Sequence, residues 1–130
     1  MTDRRVLVVD DCRMTTLLLR HILASEGIAS DAASTGPEAD EKIRAGNYAV
    51  AIVDIVLPGF SGVELAARIR DDLGERTPAI FLVTGMGENF EPSMVDRAGA
   101  RGVFFKPITP SKVVRAVAQA LATSVITEDV

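Results

Sequence analysis

The chain has 130 residues, enough for one domain with a hydrophobic core. Apolar residues make up 48% and charged residues 25%, as in an ordinary globular protein. Fourteen Lys and Arg against 18 Asp and Glu leave a net charge of −4, which argues against strong nucleic-acid binding by this domain.

Two periodicities alternate along the chain. Val6 to Val9 is a short continuous apolar run, as expected of a strand buried on both faces. Met14, Leu17, Leu18, His21 and Ile22 then follow helical spacing, with Gly27 as the stop. Ile28 to Ala33 reads as a weaker strand. Pro37 near the start and Gly46 near the end bracket a second helix. Ala49 to Val53 is a strongly apolar strand, and Leu57-Pro58-Gly59 breaks the chain into a loop. Ser61 is a candidate N-cap, with Glu64 at capping-box distance. Leu65, Ala66, Ile69 and Leu73 form the stripe of that third helix. Ala79 to Val83 is a strand, followed by a glycine-containing loop with Gly85 and Gly87. Pro92 begins a short helix ending near Gly99. Val103 to Phe105 is the last strand, and Thr109 or Ser111 opens a final helix with Val113, Val114, Val117, Ala118 and Leu121 inward. Residues 1–122 are expected to form the domain and 123–130 a flexible tail.

Five strand–helix units predict parallel pairing, because each helix returns the chain across the sheet. The expected fold is α/β, a doubly wound three-layer domain. Ligands in such sheets sit beyond the carboxyl ends of the strands. There the sequence places Asp10-Asp11 after the first strand and Asp54 after the third. Thr84 follows the fourth, and Lys106-Pro107 the fifth. Grouped carboxylates repel one another unless a cation compensates. Hard oxygen donors suit Mg²⁺, which takes one or two carboxylates plus phosphate oxygens. Lys106 adds a positive charge and Thr84 a hydroxyl. These parts match phosphoryl transfer to an aspartate, a reaction governed by positioning and charge neutralisation.

This set of residues, in this order and each at a strand end, resembles the response-regulator receiver family over about residues 4 to 122. The resemblance implies a flavodoxin-like (βα)5 sheet of order 2-1-3-4-5. It implies Asp54 as phospho-acceptor. Asp11 and Asp54 would hold Mg²⁺ directly and Asp10 mainly through water, with the backbone carbonyl of Val56 as a further ligand. Thr84 and Lys106 would bind the phosphoryl group, and Pro107 would follow a cis bond. The implied partners are a histidine kinase or histidine phosphotransfer protein and a downstream protein target, with no direct nucleic acid and no membrane. A homodimer is among the assemblies the family forms. The chain departs from the family at Val103, where many members carry an aromatic switch residue three positions before the lysine. Phe81 to Gly85 is similar to a subgroup with Thr-Gly at this place and no aromatic switch.

Each residue also has a plainer reading. Asp10-Asp11 alone reads as a turn or cap pair, Thr84 as a turn residue and Lys106 as a solvated lysine. The joint register of all of them at strand ends favours the site. An Asp directly after a buried strand, such as Asp54, is costly without a partner. His21 is read as a packing residue. Cys12 is the single cysteine, so no disulfide forms within the chain. Its neighbouring carboxylates are expected to raise its pKa. No apolar run reaches the roughly 18 residues of a membrane helix, and a signal-peptide core is lacking, so a cytoplasmic location is expected.

The leading expectation is a signalling switch, not an enzyme. Two rivals are a Mg²⁺-dependent aspartyl-phosphate phosphatase or phosphotransferase and a degenerate receiver that signals without phosphate. Such phosphatases commonly carry a second Asp two residues after the nucleophile, where this chain has Val56. A flavin-binding domain of the same topology is disfavoured by one Tyr, no Trp and the lack of a Ser/Thr-rich phosphate loop. Val56 and Met86, flanking the site, are expected to hinder the attacking water and prolong the phospho-form.

Overall fold

The computed structural model describes residues 5–85 and 90–129, with side chains described as far as Ala122. Strands β1 (Arg5–Val9), β2 (Ser30–Ala33), β3 (Tyr48–Asp54), β6 (Ala79–Gly85) and β7 (Gly102–Lys106) form one sheet in the order β2-β1-β3-β6-β7. Every pairing within it is parallel. A hairpin of two short strands, β4 (Val56–Leu57) and β5 (Phe60–Ser61), lies between β3 and the third helix. With those two set aside, the order is the expected 2-1-3-4-5. The hairpin itself is a finding: Pro58 and Gly59 make a turn tight enough to pair the flanking residues, where only a loop was expected.

Among the described residues, five α-helices cover the sheet: α1 (Arg13–Ser25), α2 (Gly36–Ala45), α3 (Gly62–Leu73), α4 (Ser93–Ala98) and α5 (Pro110–Asp129). Their ends follow local chemistry. Thr35 caps α2 by accepting from the Glu38 amide, and Gly46 closes it in the left-handed region at φ 77°. The Ser61 hydroxyl caps α3, accepting from the Val63 amide at 3.1 Å and not from that of Glu64 as a capping box requires. Pro110 is the first residue of α5, where its missing N–H is harmless, so Thr109 and not Ser111 opens that helix.

Alternation along the strands sends side chains to two cores. Leu7, Val9, Ala51, Val53, Ile80 and Leu82 pack on the α2, α3 and α4 side with Ile43, Leu65 and Ile69. Val6, Val8, Val50, Ile52, Phe81 and Val83 pack on the α1 and α5 side with Leu19, Leu23, Val113 and Val117. Both faces of the sheet are thus dry, which is why its strands read as continuous apolar runs.

Two expectations are corrected. The buried stripe of α1 is Leu19, Ile22 and Leu23, while Met14, Leu17, Leu18 and His21 face solvent. Three consecutive leucines offered two stripes, and the one spaced i, i+3, i+4 from Leu19 won. His21 is therefore no packing residue. In α5, Ala120 is buried and Ala118 exposed. The same helix continues through Asp129, with no Gly or Pro to end it. No helix among the described residues is long and apolar enough to cross a membrane.

Candidate functional site

The carboxyl ends of β1, β3, β6 and β7 bring Asp10, Asp54, Thr84 and Lys106 together, with Asp11 on the turn into α1. Parallel register accounts for this: Asp54 lies opposite Val83, Thr84 opposite Phe105 and Gly85 opposite Lys106. Asp10, Asp54 and Thr84 are the buried polar residues among those described, at 3%, 6% and 5% exposure.

Asp10 and Asp54 are held in the same way. Each accepts on its Oδ1 from the amide two residues on, Cys12 for Asp10 and Val56 for Asp54, both at 2.8 Å. That local turn fixes one oxygen and aims the other at the middle of the site. Lys106 Nζ donates to Asp54 Oδ2 at 3.0 Å and lies 3.3 Å from Asp10 Oδ2. The Asp10 contact has ion-pair distance without hydrogen-bond alignment, and Asp10 Oδ2 is a fully buried oxygen that accepts no hydrogen bond.

One ammonium therefore serves two buried carboxylates, with a third beside them. Ligand oxygens of Asp10, Asp11 and Asp54 all lie within 4.8 Å of one another. Burial, joined by the neighbouring charge of Asp54, holds Asp10 above its ordinary pKa, against the Cys12 amide and Lys106, which act to lower it. Burial would lower the Lys106 pKa, but the bond to Asp54 and the charges of both aspartates outweigh it, and the net shift is upward. A buried carboxylate oxygen without a hydrogen bond, beside two further acidic oxygens, is what a hard divalent cation satisfies. The donor set thus fits Mg²⁺.

Above the aspartates lies an open cavity of about 330 Å³, lined by Asp11, Asp54, Ile55, Val56, Thr84, Gly85 and Lys106. Val56 stands at its rim, 73% exposed. The Lys106–Pro107 peptide is cis, as expected. Val103 is half-buried on the α3 and α4 side of the sheet. Met86 and Gly87 lie outside the described residues.

Two features escape a reading of the sequence. Gly62, the first residue of α3, packs on the Asp54 backbone so closely that a Cβ there would strike the Asp54 carbonyl. Its amide donates to the Ile55 carbonyl at 2.7 Å, so α3 begins against the strand end that carries Asp54. A glycine inside the first turn of a helix was the available signal, since it is a poor helix former. Cys12 is the second. Its thiol is exposed, and bonds from Thr15 and nearby amides lower its pKa, whereas Asp10 makes only the smallest contribution, upward. The helix start outweighs the carboxylate, contrary to expectation.

The family described as "Response regulator receiver domain" matches residues 6–118. The chain is 33% identical over 112 residues to the transcriptional regulatory protein ResD of Bacillus subtilis (strain 168), covering 86% of this chain and 45% of that protein. It is 34% identical over 112 residues to the transcriptional regulatory protein SrrA of Staphylococcus aureus, with the same coverage. The chain thus spans about half the length of these curated relatives. A solved CheY-like response regulator receiver domain protein from Methanospirillum hungatei superposes with a TM-score of 0.83 at 27% identity, over 94% of this chain and 96% of the other.

Proposed function

This chain belongs to the response regulator receiver domain family of two-component systems, and on that premise we propose that it is a switch set by phosphorylation of Asp54. The observation that carries the proposal is the Asp10–Lys106–Asp54 arrangement, in which buried carboxylates at strand ends share one ammonium under an open cavity.

A carboxylate oxygen of Asp54 attacks the phosphorus of a donor such as a phosphohistidine. The new O–P bond forms as the P–N bond breaks, and the bonding pair stays on the imidazole. Lys106 already touches Asp54 Oδ2 and neutralises charge on the phosphoryl oxygens, while Thr84 supplies a hydroxyl donor at the cavity wall. Asp11, Asp54 and the Val56 carbonyl would hold Mg²⁺ directly and Asp10 through water. When bound, the ion offsets the excess of carboxylates and draws charge from the phosphoryl oxygens. Gly62 keeps the Asp54 backbone in place.

In this reading the chain is no enzyme toward small substrates. Val56 occupies the place two residues beyond Asp54 where an acid–base carboxylate would be needed. Its exposed side chain at the cavity rim also obstructs an attacking water, which favours a long-lived phospho-form. Phosphorylation adds about −1.5 to −2 charges and three acceptor oxygens, enough to bias a two-state surface. The donor is a histidine kinase or histidine phosphotransfer protein, and the output is contact with a protein target or a second copy. With a net charge of −4, this domain makes no direct nucleic-acid contact itself.

Intact mass after incubation with acetyl phosphate tests the proposal, with and without Mg²⁺, on the native protein and Asp54→Asn. One phosphoryl addition that needs both Mg²⁺ and Asp54 is expected. An addition that survives Asp54→Asn, or none under any condition, would overturn it, the latter leaving a receiver that works without phosphate.

A further inference from the structure

Past Asp54 the chain turns through the β4–β5 hairpin, whose two sides face different surroundings. Leu57 and Phe60 pair across it, and both pack on the core of the α2 and α3 side. Val56 stands on the other side, at the rim of the cavity. The backbone alternates in the same way. The Ile55 carbonyl accepts from the Gly62 amide, so Val56 and Ser61 form the next, non-bonded pair of the ladder. The amide and carbonyl of Val56 therefore both point away from Ser61. The amide goes to Asp54 Oδ1 at 2.8 Å. The carbonyl is turned to that same side, where the Mg²⁺ reading needs it.

Two strands of two residues do not hold such a shape by themselves, since even longer isolated hairpins are marginal. Gly62 ties down the α3 end. At the turn, Pro58 and Gly59 are exposed, and the half-buried Phe60 carries the outside contacts. Its ring lies against Gly36, the first residue of α2. A Cβ at Gly36 would stand 2.9 Å from the Phe60 Cβ and overlap the ring. That explains a glycine in the first turn of a helix it would otherwise weaken. The Arg68 guanidinium of α3 lies over the same ring, 5.3 Å from its centroid and within cation–π range. Phe60 thus fastens the hairpin to both α2 and α3.

We propose that Phe60 is a positioning residue for the cation site, holding the hairpin so that the Val56 carbonyl stands ready at the Asp54 pocket. The proposal rests on the reading that this pocket and that carbonyl hold Mg²⁺. A hairpin without its anchor has to be ordered when the ion binds, and that cost weakens binding. Phe60 touches neither the ion nor the phosphoryl group. It acts through the backbone of Val56.

Mg²⁺ titrations of the unphosphorylated protein, followed by its amide resonances, test this. Native protein, Phe60→Ala, Phe60→Leu, Gly36→Ala and Leu73→Ala are compared. In native protein the Val56 amide resonance is expected to move and saturate, which yields Kd. Phe60→Ala raises that Kd about 10-fold, the lower end for losing the outer support of a metal ligand. Gly36→Ala pushes the ring from the α2 side and raises Kd in the same direction, which keeps the test open if Phe60→Ala fails to fold. Phe60→Leu still fills much of the space and stays within ~3-fold of native. Leu73→Ala removes a half-buried side chain from the same core at the far end of α3, and leaves Kd unchanged. Native affinity in Phe60→Ala or Gly36→Ala, or an equal loss in Leu73→Ala, would overturn the positioning role. A native Val56 amide that does not respond to Mg²⁺ is a separate failure: it removes the Mg²⁺ reading and the role of Phe60 with it.

Discussion

Two polar clusters sit at opposite ends of the same sheet, and they are built to different rules. At the amino ends of the strands, Asp31 of β2 receives Arg5 of β1 on both oxygens at 3.3 Å and the Tyr48 hydroxyl of β3 at 2.7 Å. One carboxylate there has a guanidinium and a phenol, and the group is partly open to water. At the carboxyl ends, Asp10 and Asp54 share Lys106 with Asp11 close beside them, and one buried oxygen of Asp10 accepts no hydrogen bond. The first cluster is complete as it stands. The second becomes complete only when something positive, or something that recruits its lysine, arrives. Incompleteness of this kind is the physical mark of a binding site, because buried polar groups are otherwise satisfied.

The largest effect should come from the support under the incomplete cluster. Gly62→Ala forces a methyl group into the Asp54 carbonyl. Either α3 or the end of β3 must move, at a cost of about 2–3 kcal/mol for an overpacked site. Urea unfolding measures this, and a loss below ~0.5 kcal/mol would show that α3 yields without strain. Phosphorylation should fall as well, since Asp54 shifts with its backbone.

Mg²⁺ should supply what the cluster lacks. A ligand that binds only the folded state at a hundredfold excess over its Kd adds about 2.7 kcal/mol. A thermal melt of native protein should rise by several degrees on adding Mg²⁺, and an equal ionic strength of NaCl should not reproduce the rise. Asp11→Asn should lose most of the shift, because Asp11 is the exposed carboxylate of the trio and is not committed to Lys106. An equal shift in that variant would assign the effect elsewhere on the acidic surface.

How much of this was legible beforehand follows from which residues have local causes. The strand ends announced themselves, because Asp10, Asp54, Thr84 and Lys106 each terminate an apolar run and the parallel topology aligns those ends. The α1 stripe did not, because Leu17, Leu18 and Leu19 are consecutive. Only packing against the sheet and α5 decides that Leu19 turns inward. Gly62 offered only the cue of a poor helix former in a first turn: its role lies in an approach between two backbones, which composition and periodicity do not encode. The Asp31–Tyr48–Arg5 cluster was equally hidden, since three strands must pair before those side chains meet. Cys12 shows that proximity in sequence to a charge is weaker than hydrogen bonds at the helix start.

The sharpest comparison makes one change at each end of the sheet and expects opposite signs. Asp31→Asn removes half of a satisfied, partly exposed ion pair and should destabilise by about 0.5–1 kcal/mol. Asp10→Asn removes a buried charge that has no hydrogen bond on one oxygen, and in Mg²⁺-free buffer at pH 7 it should stabilise by roughly 1 kcal/mol. The pH dependence identifies the cause. Asp10 is held above its ordinary value of 3.8 in the folded protein, so folding raises its hold on the proton. The stability it contributes is complete below that ordinary value and is lost as pH rises through the folded one. The advantage of Asp10→Asn should therefore shrink as the pH is lowered toward the ordinary value of 3.8, where the two states come to hold the proton alike. Melts of both variants at pH 4, 5.5 and 7 decide the matter. A destabilised Asp10→Asn at pH 7 would mean that Lys106 already satisfies Asp10, and the two clusters would then differ in position only.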